Sequence, residues 1–563
     1  MKRRVIRVAE PGSGRDGGTV LEYLIARGIY IPAFCGGKGT CGKCRVRFVE
    51  KAADRDPADI SEDASGADGA AAIPALSEAG AGVPAPSAAD LAVLSEDEIK
   101  AGIRLACTAP VRHGQEIEIL AGDEAGMEVE TGFSVGADPG RDGNASGAAG
   151  SGADAAGIIN ASGTDEAGKM AVSGAGVSGA DPAGKEIAAA VDIGTTTIAM
   201  SAVDTGSGRV LNTATCVNHQ RAWGADVISR IDASNRGMGG RLQQSIRGDL
   251  ASLLEELGLP ADARMLISGN TTMEHLLQGL PCQTLGVAPY TPVDISLHEY
   301  ENMTVLPGIS TYVGADIVSG IVACGMDQSE EICILVDLGT NGEMAIGCRD
   351  RIVCASTAAG PAFEGGNISC GMAGVPGAIS AVEIRDSVVS VETIGGAAPA
   401  GICGTGVLET MYELLKEEIV DETGCMDDEW IETGFPLADN IAFTAKDVRE
   451  IQLAKSAIRA GMEILLQVFG ADYDDVARLY LAGGFGQKIN LDKAVGIGLL
   501  PEELLDRMIP VGNSSLAGAV MAARDPAVLD RMTRVAQMAE ETALAESPLF
   551  SDLYMDNMFF PEM

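Results

Sequence analysis

The chain has 563 residues, which is enough for three or four domains that each bury a core of their own. Its formal net charge of -40, from 80 acidic and 40 basic residues, argues against nucleic acid or an anionic membrane surface as a partner. No run of about eighteen apolar residues occurs, and the basic residues 1–7 are not followed by the apolar segment of a secretory signal. The thirteen cysteines are therefore expected to be reduced thiols of a cytoplasmic protein.

The first elements in chain order predict a β-grasp fold. Residues 5–8 alternate as a strand, and a capping box at Thr19 opens a helix over residues 20–26. Residues 45–49 and 116–120 alternate again and are predicted to be strands. A glycine-rich loop lies between the helix and the second strand, as in β-grasp ferredoxins.

Three cysteines, Cys35, Cys41 and Cys44, lie in that loop, and Cys107 supplies a distant fourth thiol. Structural zinc ribbons pair two C-x2-C knuckles, whereas this C-x5-C-x2-C run is close to the plant-type ferredoxin motif, with one extra residue in its first gap. It resembles ferredoxins of the adrenodoxin kind, which have the longer gap. The loop glycines leave room for backbone N–H groups to approach cluster sulfides. The motif predicts a [2Fe–2S] cluster on these four cysteines, with structural zinc as the alternative.

Two tracts rich in Ala, Gly, Asp and Ser cannot bury enough apolar surface to fold alone. The first, residues 52–90, is predicted to be a disordered insertion in a ferredoxin-like domain that spans residues 1–122. Lengthening a surface loop costs little closure entropy, so the insertion is compatible with Cys107 as a ligand. The second, residues 123–184, is predicted to be a flexible acidic linker, with a small docking domain as the alternative.

Two segments about 145 residues apart repeat the pattern of strand, aspartate, glycine turn with hydroxyl groups, and second strand. The glycine lets the backbone approach phosphate, the hydroxyls donate to it, and the aspartate can hold Mg²⁺ through water. One copy alone could be a plain hairpin, but two copies favour a duplicated fold with ATP between the halves. The predicted residues are Asp192, Gly194, Thr195, Thr196 and Thr197 in the first copy and Asp337, Gly339, Thr340 and Asn341 in the second.

Three further segments accompany the two hairpins. Residues 314–321 precede the second hairpin, residues 479–486 run from a strand into a Gly-Gly turn, and residues 513–519 follow. With the hairpins, these segments resemble in type and order the phosphate, connecting and adenosine motifs of the actin, sugar kinase and Hsp70 superfamily. The resemblance implies a multidomain α/β protein: a β-grasp [2Fe–2S] domain, then a two-lobed ATPase with lobes at 185–330 and 331–525 and a helical tail at 526–563.

The same resemblance implies roles for single residues. Gly483 and Gly484 would lie under adenosine, and Asp316 would orient the attacking water or act as a structural cap. Gly404 opens a predicted helix whose start would lie against phosphate, with close packing as the alternative.

The chain as a whole resembles the reductive activators of corrinoid proteins, although its long insertion and low-complexity tract depart from that family. The resemblance implies transfer of one electron from the [2Fe–2S] cluster to a Co(II) corrinoid protein, which regenerates Co(I) for methyl transfer with the use of ATP and Mg²⁺. The implied partners are a corrinoid protein of a methyltransferase system and a low-potential electron donor, and the implied assembly is a homodimer.

Three alternatives stay open at this point. The first is a small-molecule kinase with an accessory cluster, and the second is a cluster-bearing redox sensor. The third is an ATP-driven electron donor to another low-potential enzyme, as in the activators of 2-hydroxyacyl-CoA dehydratases. Those activators share a [4Fe–4S] cluster at a dimer interface, and the set of four cysteines in one domain argues against such an arrangement.

Overall fold

The computed structural model describes residues 4–8, 18–25, 27, 29, 31, 33, 37–40, 42–49, 83–112, 114–120, 187–385 and 388–563. Cys35, Cys41, residues 52–82 of the predicted insertion and the predicted linker at 123–184 lie outside these ranges. The chain divides into two compact units. The smaller comprises Met1–Ala125, Asn218–Arg247 and Pro281–Gly286, and the larger comprises Gly126–Val217, Gly248–Leu280 and Val287–Met563.

The smaller unit contains an antiparallel sheet of four strands in the order β1-β4-β2-β3. The three predicted strands and the predicted helix are confirmed, and the Thr19 Oγ1 atom accepts from the N–H of Glu22 at 3.2 Å as the capping box requires. Leu24 of the helix and Val46 and Ile117 of the sheet are fully buried. The elements are β1 (Arg4–Arg7), α1 (Val20–Ile25), β2 (Arg45–Val49), α2 (Ala88–Val93), α3 (Glu96–Lys100), β3 (Ile103–Leu105) and β4 (Glu116–Ile119).

Helix α2 corrects the predicted bounds of the insertion, because residues 83–90 belong to the folded domain. The Asp90 side chain is 1% exposed, and its Oδ1 atom accepts from the N–H of Leu105 at 2.7 Å. Its Oδ2 atom accepts from the N–H of Ser87 at 2.7 Å. A segment with few large apolar residues is thus held by hydrogen bonds to a buried carboxylate, which hydropathy does not reveal.

The smaller unit also includes residues 218–247 and 281–286 from the middle of the chain. These residues form α4 (Val227–Ala233), a π-helical turn at Ser234–Met238 and the first half of α5 (Gly239–Glu256). Asp232 lies 3.5 Å from the Nζ atom of Lys38, which is part of the cysteine loop. An amphipathic pattern predicts a helix but not the unit on which the helix packs, so this arrangement was not predicted.

The first sheet of the larger unit has six strands in the order β7-β6-β5-β8-β10-β9. Strands β5, β6 and β7 are antiparallel neighbours, whereas β8 and β10 continue parallel to β5 and β9 closes the edge. The elements are β5 (Ile187–Ile193), β6 (Thr197–Asp204), β7 (Arg209–Val217), β8 (Met265–Gly269), α6 (Thr271–Gln278), β9 (His298–Tyr300), β10 (Met303–Val305) and α7 (Ala315–Ala323).

The second sheet repeats this path in the order β20-β19-β11-β12-β13-β21. Strands β11, β12 and β13 are antiparallel, and β19 and β20 continue parallel to β11. The predicted duplication is therefore confirmed for five strands of each sheet, whereas the sixth strands differ, since β9 pairs with β10 and β21 pairs with β13. The elements are β11 (Ile332–Leu338), β12 (Gly342–Cys348), β13 (Arg351–Thr357), β19 (Val476–Ala482), β20 (Met508–Gly512) and β21 (Glu540–Glu541).

The rest of the larger unit consists of smaller sheets and helices. The strands are β14 (Ala378–Arg385), β15 (Val388–Thr393), β16 (Gly401–Ile402), β17 (Phe435–Ala438) and β18 (Ile441–Phe443). The helices are α8 (Gly404–Lys416), α9 (Ala445–Phe469), α10 (Gly484–Gln487), α11 (Leu491–Gly496), α12 (Ser514–Arg524), α13 (Ala527–Met538) and α14 (Phe550–Asp556).

The segment at 526–563 is helical as predicted, but it is not a separate tail. Strand β21 pairs with β13, and the buried Lys455 of α9 donates from Nζ to the carbonyl oxygens of Asn557 and Phe559 at 2.5 and 2.7 Å. In the part of the chain that the structure describes, no helix has the length and apolar character needed to cross a bilayer.

Candidate nucleotide cleft and cysteine site

A cleft of about 320 Å³ in the larger unit is lined by residues of both six-stranded sheets. All thirteen residues that the sequence predicts for ATP and its hydrolysis contribute to its wall. They are Asp192, Gly194, Thr195, Thr196, Thr197, Asp316, Asp337, Gly339, Thr340, Asn341, Gly404, Gly483 and Gly484. The duplicated fold thus brings together two hairpins that are far apart in sequence.

The turns of the two hairpins approach each other across the cleft. The hydroxyl oxygens of Thr196 and Thr340 are 3.5 Å apart, which places donors from both halves around one point. The N–H of Gly194 donates to the Thr197 carbonyl at 3.0 Å, and a Cβ atom on Gly194 would lie only 2.7 Å from that oxygen. The first turn therefore needs glycine to close.

Asp192 is held by the start of α12, the predicted second connecting helix. The Nδ2 atom of Asn513 donates to Asp192 Oδ2 at 2.8 Å, and the Oγ atom of Ser515 donates to Oδ1 at 2.7 Å. Burial raises the pKa of Asp192, and these two hydrogen bonds oppose the rise. Both oxygens are oriented by the chain itself, which suits a carboxylate that meets a cation through water.

Asp337 and Glu343 are directly opposite on β11 and β12, a register in which like charges repel. Burial, with smaller contributions from the charges of Asp316, Asp192 and Glu364, raises the pKa of Asp337 to about 8. Burial, followed by the charges of Asp316 and Asp337, raises the pKa of Glu343 well above its ordinary value.

Asp316 is the next carboxyl group of the cleft, at the start of α7. Burial raises its pKa to about 7, and the N–H of Ile317 donates to its Oδ1 atom at 2.9 Å. Convergent carboxyl groups of this kind need protons or a divalent cation to offset their repulsion. Among the described residues, no three His, Cys, Asp or Glu side chains converge closely enough to ligate a metal ion directly.

Another part of the cleft wall is built from aromatic rings and a glycine turn. The rings of Phe363 and Phe485 stack with centroids 5.2 Å apart. Gly483 has φ +89, and a Cβ atom there would lie 2.7 Å from Asp337 Oδ1. Gly404 lines the cleft, but a Cβ atom on it would overlap the Phe363 carbonyl, so close packing alone already requires glycine at this position.

Several cleft residues were not predicted as site residues, among them Glu343 and Asn513. The Nδ2 atom of Asn270 donates to Thr195 Oγ1 at 3.0 Å and so steadies the first turn. Glu343 could have been found by folding the second hairpin on its turn, because that operation places it opposite Asp337. Asn513 and Asp192 are 321 positions apart in sequence, so no local sequence pattern predicts their contact.

The smaller unit contains the described half of the predicted cluster site. The sulfur atoms of Cys44 and Cys107 are 3.3 Å apart, far more than the ~2.05 Å of a disulfide, and both side chains are buried. Two thiols this close, on a loop and on the segment after a distant strand, can share one metal centre. The other two predicted ligands, Cys35 and Cys41, lie outside the described residues.

The loop glycines have a structural role that the motif did not reveal. Gly39 and Gly42 have φ of +76 and +67, and α2 packs against both of them. A Cβ atom on Gly39 would lie 2.7 Å from the Cβ of Ala89, and one on Gly42 would lie 2.6 Å from the Cγ1 of Val93. The helix that follows the insertion therefore covers the cysteine loop.

The nine cysteines outside the cluster motif form no C-x2-C pair, which predicts that they are buried apolar residues. This prediction is confirmed for Cys282, Cys333, Cys354 and Cys403. It is wrong for Cys425, which is exposed. Cys216, Cys324, Cys348 and Cys370 are only partly buried.

Comparison with known proteins supports the same architecture. The family model of the 2Fe-2S iron-sulfur cluster binding domain matches residues 13–76, that of the RACo middle region matches 187–329, and that of the C-terminal domain of RACo, the ASKHA domain, matches 331–563. The chain therefore joins a [2Fe–2S] ferredoxin-like domain to an ATPase fold of the actin and sugar kinase type. The first match ends before Cys107, so it does not include the predicted fourth ligand.

Individual relatives agree with these models. The corrinoid activation enzyme RamQ of Eubacterium limosum is 31% identical over 420 residues, which cover 66% of this chain and 70% of that protein. The [Co(II) methylated amine-specific corrinoid protein] reductase of Methanosarcina barkeri is 30% identical over 275 residues, which cover 45% of this chain and 50% of the relative. A solved structure of a reductive activator for corrinoid, iron-sulfur protein is 25% identical, with a TM-score of 0.62 over 99% of this chain and 98% of its own. The chain belongs to the RACo family of corrinoid reductive activators.

Proposed function

We propose that this protein reduces the Co(II) corrinoid of a partner protein to Co(I), at the expense of ATP, with one electron that leaves its own [2Fe–2S] cluster. The observation that carries the proposal is the combination, in a chain of this family, of a buried thiol pair with a cleft that gathers both phosphate hairpins. The acceptor gains one electron and the cluster loses one, so the step is balanced without a further reactant.

The cluster would be held by Cys35, Cys41, Cys44 and Cys107. The described pair supports this assignment, because both sulfurs are buried at a separation that one metal centre can span. When bound, the cluster supplies a site that accepts and releases single electrons. The packing of α2 on the loop would limit access of water to that site.

ATP would lie in the cleft with its phosphates between the two hairpin turns. Thr195, Thr196, Thr197, Gly339, Thr340 and Asn341 would donate to phosphate oxygens, and Gly194 would let the backbone approach them. Asp192 and Asp337 would position Mg²⁺ through water, and Asp316 would accept the proton of the attacking water. Gly483 and Gly484 would lie under adenosine, and Gly404 would lie near phosphate at the start of α8.

An energetic argument explains why ATP accompanies this electron transfer. Plant-type clusters lie near about −400 mV. Moving one electron uphill by ~100–200 mV costs about 2–5 kcal/mol. We infer that closure of the cleft on ATP favours a state that binds the corrinoid protein and changes its cobalt ligation so that Co(II) becomes easier to reduce. Such coupling requires that ATP bind the two states with different affinity.

The finer features of the proposal follow the family resemblance. A low-potential donor would reduce the cluster, the working form would be a homodimer, and the protein would act in the cytoplasm on the corrinoid protein of a methyltransferase system.

The test uses anaerobically purified protein, a reductant and a Co(II) corrinoid protein, with the absorbance of the corrinoid followed over time. The proposal predicts Co(I) formation that requires both ATP and Mg²⁺. A phosphorylated small-molecule product, or an ATPase rate raised by a sugar and not by the corrinoid protein, would instead indicate a kinase.

A further inference from the structure

Three buried serines form a hydrogen-bonded path that ends on Asp192. The Oγ atom of Ser515 donates to Asp192 Oδ1 at 2.7 Å. The Oγ atom of Ser268 lies 2.9 Å from that of Ser515 and 2.9 Å from that of Ser319. Ser268 and Ser319 are fully buried, and Ser515 is 3% exposed. Ser319, Ser268 and Ser515 thus form a serine network, of which only Ser515 lines the nucleotide cleft.

The direction of these hydrogen bonds follows from the number of protons available. A hydroxyl group has one proton to donate and two lone pairs that accept. Because Ser515 donates its proton to the Asp192 carboxylate, the contact between Ser268 and Ser515 needs the proton of Ser268. The contact between Ser319 and Ser268 then needs the proton of Ser319. The hydroxyl dipoles are therefore aligned from Ser319 towards Asp192, and each of them strengthens the next.

The serine network joins three elements that meet at Asp192. Ser268 pairs directly with Asp192 in the parallel register of β8 and β5, so both side chains are on one face of the sheet. Ser515 is the second residue of α12, and Ser319 is in α7. A Cβ atom on Gly518 of α12 would lie 2.5 Å from the Cβ atom of Ser319, so the two helices are in close contact there. The Ser515 hydroxyl keeps its partners only while these three elements stay in this arrangement.

The two oxygens of Asp192 are held in different ways. Asn513 donates to Oδ2, and its amide group is fixed because its Oδ1 atom accepts from the N–H of Leu516 at 2.8 Å. The hydroxyl proton of Ser515, in contrast, can rotate about its C–O bond. A neighbour that donates to Ser515 removes this freedom, because it occupies one lone pair and leaves the proton directed at Asp192. Ser268 is that neighbour.

We propose that Ser268 is a positioning residue for the Mg²⁺ ion that accompanies ATP. By donating to Ser515, it directs the Ser515 proton to Asp192 Oδ1 and so fixes the carboxylate in the orientation that meets hydrated Mg²⁺. Ser319 supports Ser268 in the same way from α7. Ser268 touches neither the nucleotide nor the cation, and it acts only through Ser515. The inference rests on the proposed function, because it assumes that the cleft binds ATP with Mg²⁺.

The test is isothermal titration calorimetry of the full-length protein with adenylyl imidodiphosphate, a non-hydrolysable ATP analogue, in excess Mg²⁺ or in EDTA. Ser268→Ala should weaken binding about tenfold in Mg²⁺ and less than about twofold in EDTA, because groups that orient a metal-binding carboxylate contribute to metal affinity and not to contacts with the nucleotide. Ser456→Ala is the matched control and should leave both affinities unchanged. Ser456 is also fully buried, but its hydroxyl donates to the Gln452 carbonyl of its own helix at 2.6 Å.

A double-mutant cycle separates positioning from packing. Because Ser268 acts through Ser515, Ser268→Ala should have no further effect on Mg²⁺-dependent binding in a protein that already carries Ser515→Ala. Ser319→Ala should weaken Mg²⁺-dependent binding less than Ser268→Ala does, since Ser268 still donates to Ser515 in that variant.

Three results would overturn the inference. They are unchanged binding in Mg²⁺ by Ser268→Ala, equal losses in Mg²⁺ and in EDTA, and additive effects of Ser268→Ala and Ser515→Ala. A parent protein that binds the analogue equally well with and without Mg²⁺, or does not bind it, would instead reject the Mg²⁺–ATP site of the proposed function.

Discussion

At the scale of single residues, Cys107 is the most informative part of the cluster site. It lies 63 residues from Cys44 in sequence and 3.3 Å from it through the sulfur atoms. Cys107→Ala should abolish the [2Fe–2S] absorption and electron paramagnetic resonance signals, because the remaining thiols cannot complete two tetrahedral iron sites. Cys425→Ala, at an exposed thiol, is the matched control and should keep the full signal. A full signal in Cys107→Ala would reject this ligand.

The carboxyl groups of the cleft make a prediction about pH. Burial raises the pKa of Asp316 to about 7 and that of Asp337 to about 8, both far above the values in an unfolded chain. Between about pH 4 and 8 the folded protein therefore binds more protons than the unfolded chain, so its stability falls as pH rises through this window. The melting temperature of nucleotide-free protein in a chelator should drop from pH 5.5 to pH 8.5.

The matched variant for this prediction is Asp337→Asn, which removes one of the groups that titrate. Its melting temperature should depend less on pH and should exceed that of the parent protein at pH 8.5 by a few degrees. Equal slopes in the two proteins would show that Asp337 is not a source of the pH dependence.

At the scale of elements, α2 connects the segment after the insertion to the cysteine loop. Asp90→Ala would remove the acceptor for the N–H groups of Leu105 and Ser87, at a cost of about 1–3 kcal/mol for each buried donor left unpaired. The helix should then separate from Gly39 and Gly42, and the cluster should bleach faster in air. Asp97→Ala, on the neighbouring helix and exposed, is the control. Identical bleaching rates in the two variants would contradict a protective role for α2.

The elements that could be predicted from sequence are those fixed by local chemistry. The two Asp-Gly-Thr turns and the capping box at Thr19 each depend on residues that are close in sequence, and the structure has each of them. Helix α2 was missed because its stability comes from hydrogen bonds to β3. The composition of the tract, which is poor in large apolar residues, does not indicate those hydrogen bonds. The role of Asn513 was missed for a similar reason, because its partner Asp192 is distant in sequence and belongs to another lobe of the fold.

At the scale of the whole molecule, the motif order predicted a ferredoxin-like domain followed by a duplicated ATPase, and both are confirmed. The assignment of residues 218–247 to the smaller unit could not be predicted from the sequence, because the spacing of apolar residues in a helix does not show which unit the helix packs on. The predicted tether at 123–184, with its proposed freedom of movement, lies outside the described residues and stays a prediction.

The most direct test of an ATP-driven reductase is a single turnover with the cluster reduced beforehand and the external reductant removed. Mixed anaerobically with a Co(II) corrinoid protein, ATP and Mg²⁺, the parent protein should form one Co(I) for each cluster oxidised. Asp337→Asn should keep its reduced cluster and form almost no Co(I), since it retains the electron but lacks a group that positions Mg²⁺. Co(I) formation at the parental rate by Asp337→Asn, or by the parent protein without ATP, would contradict the coupling of ATP hydrolysis to corrinoid reduction.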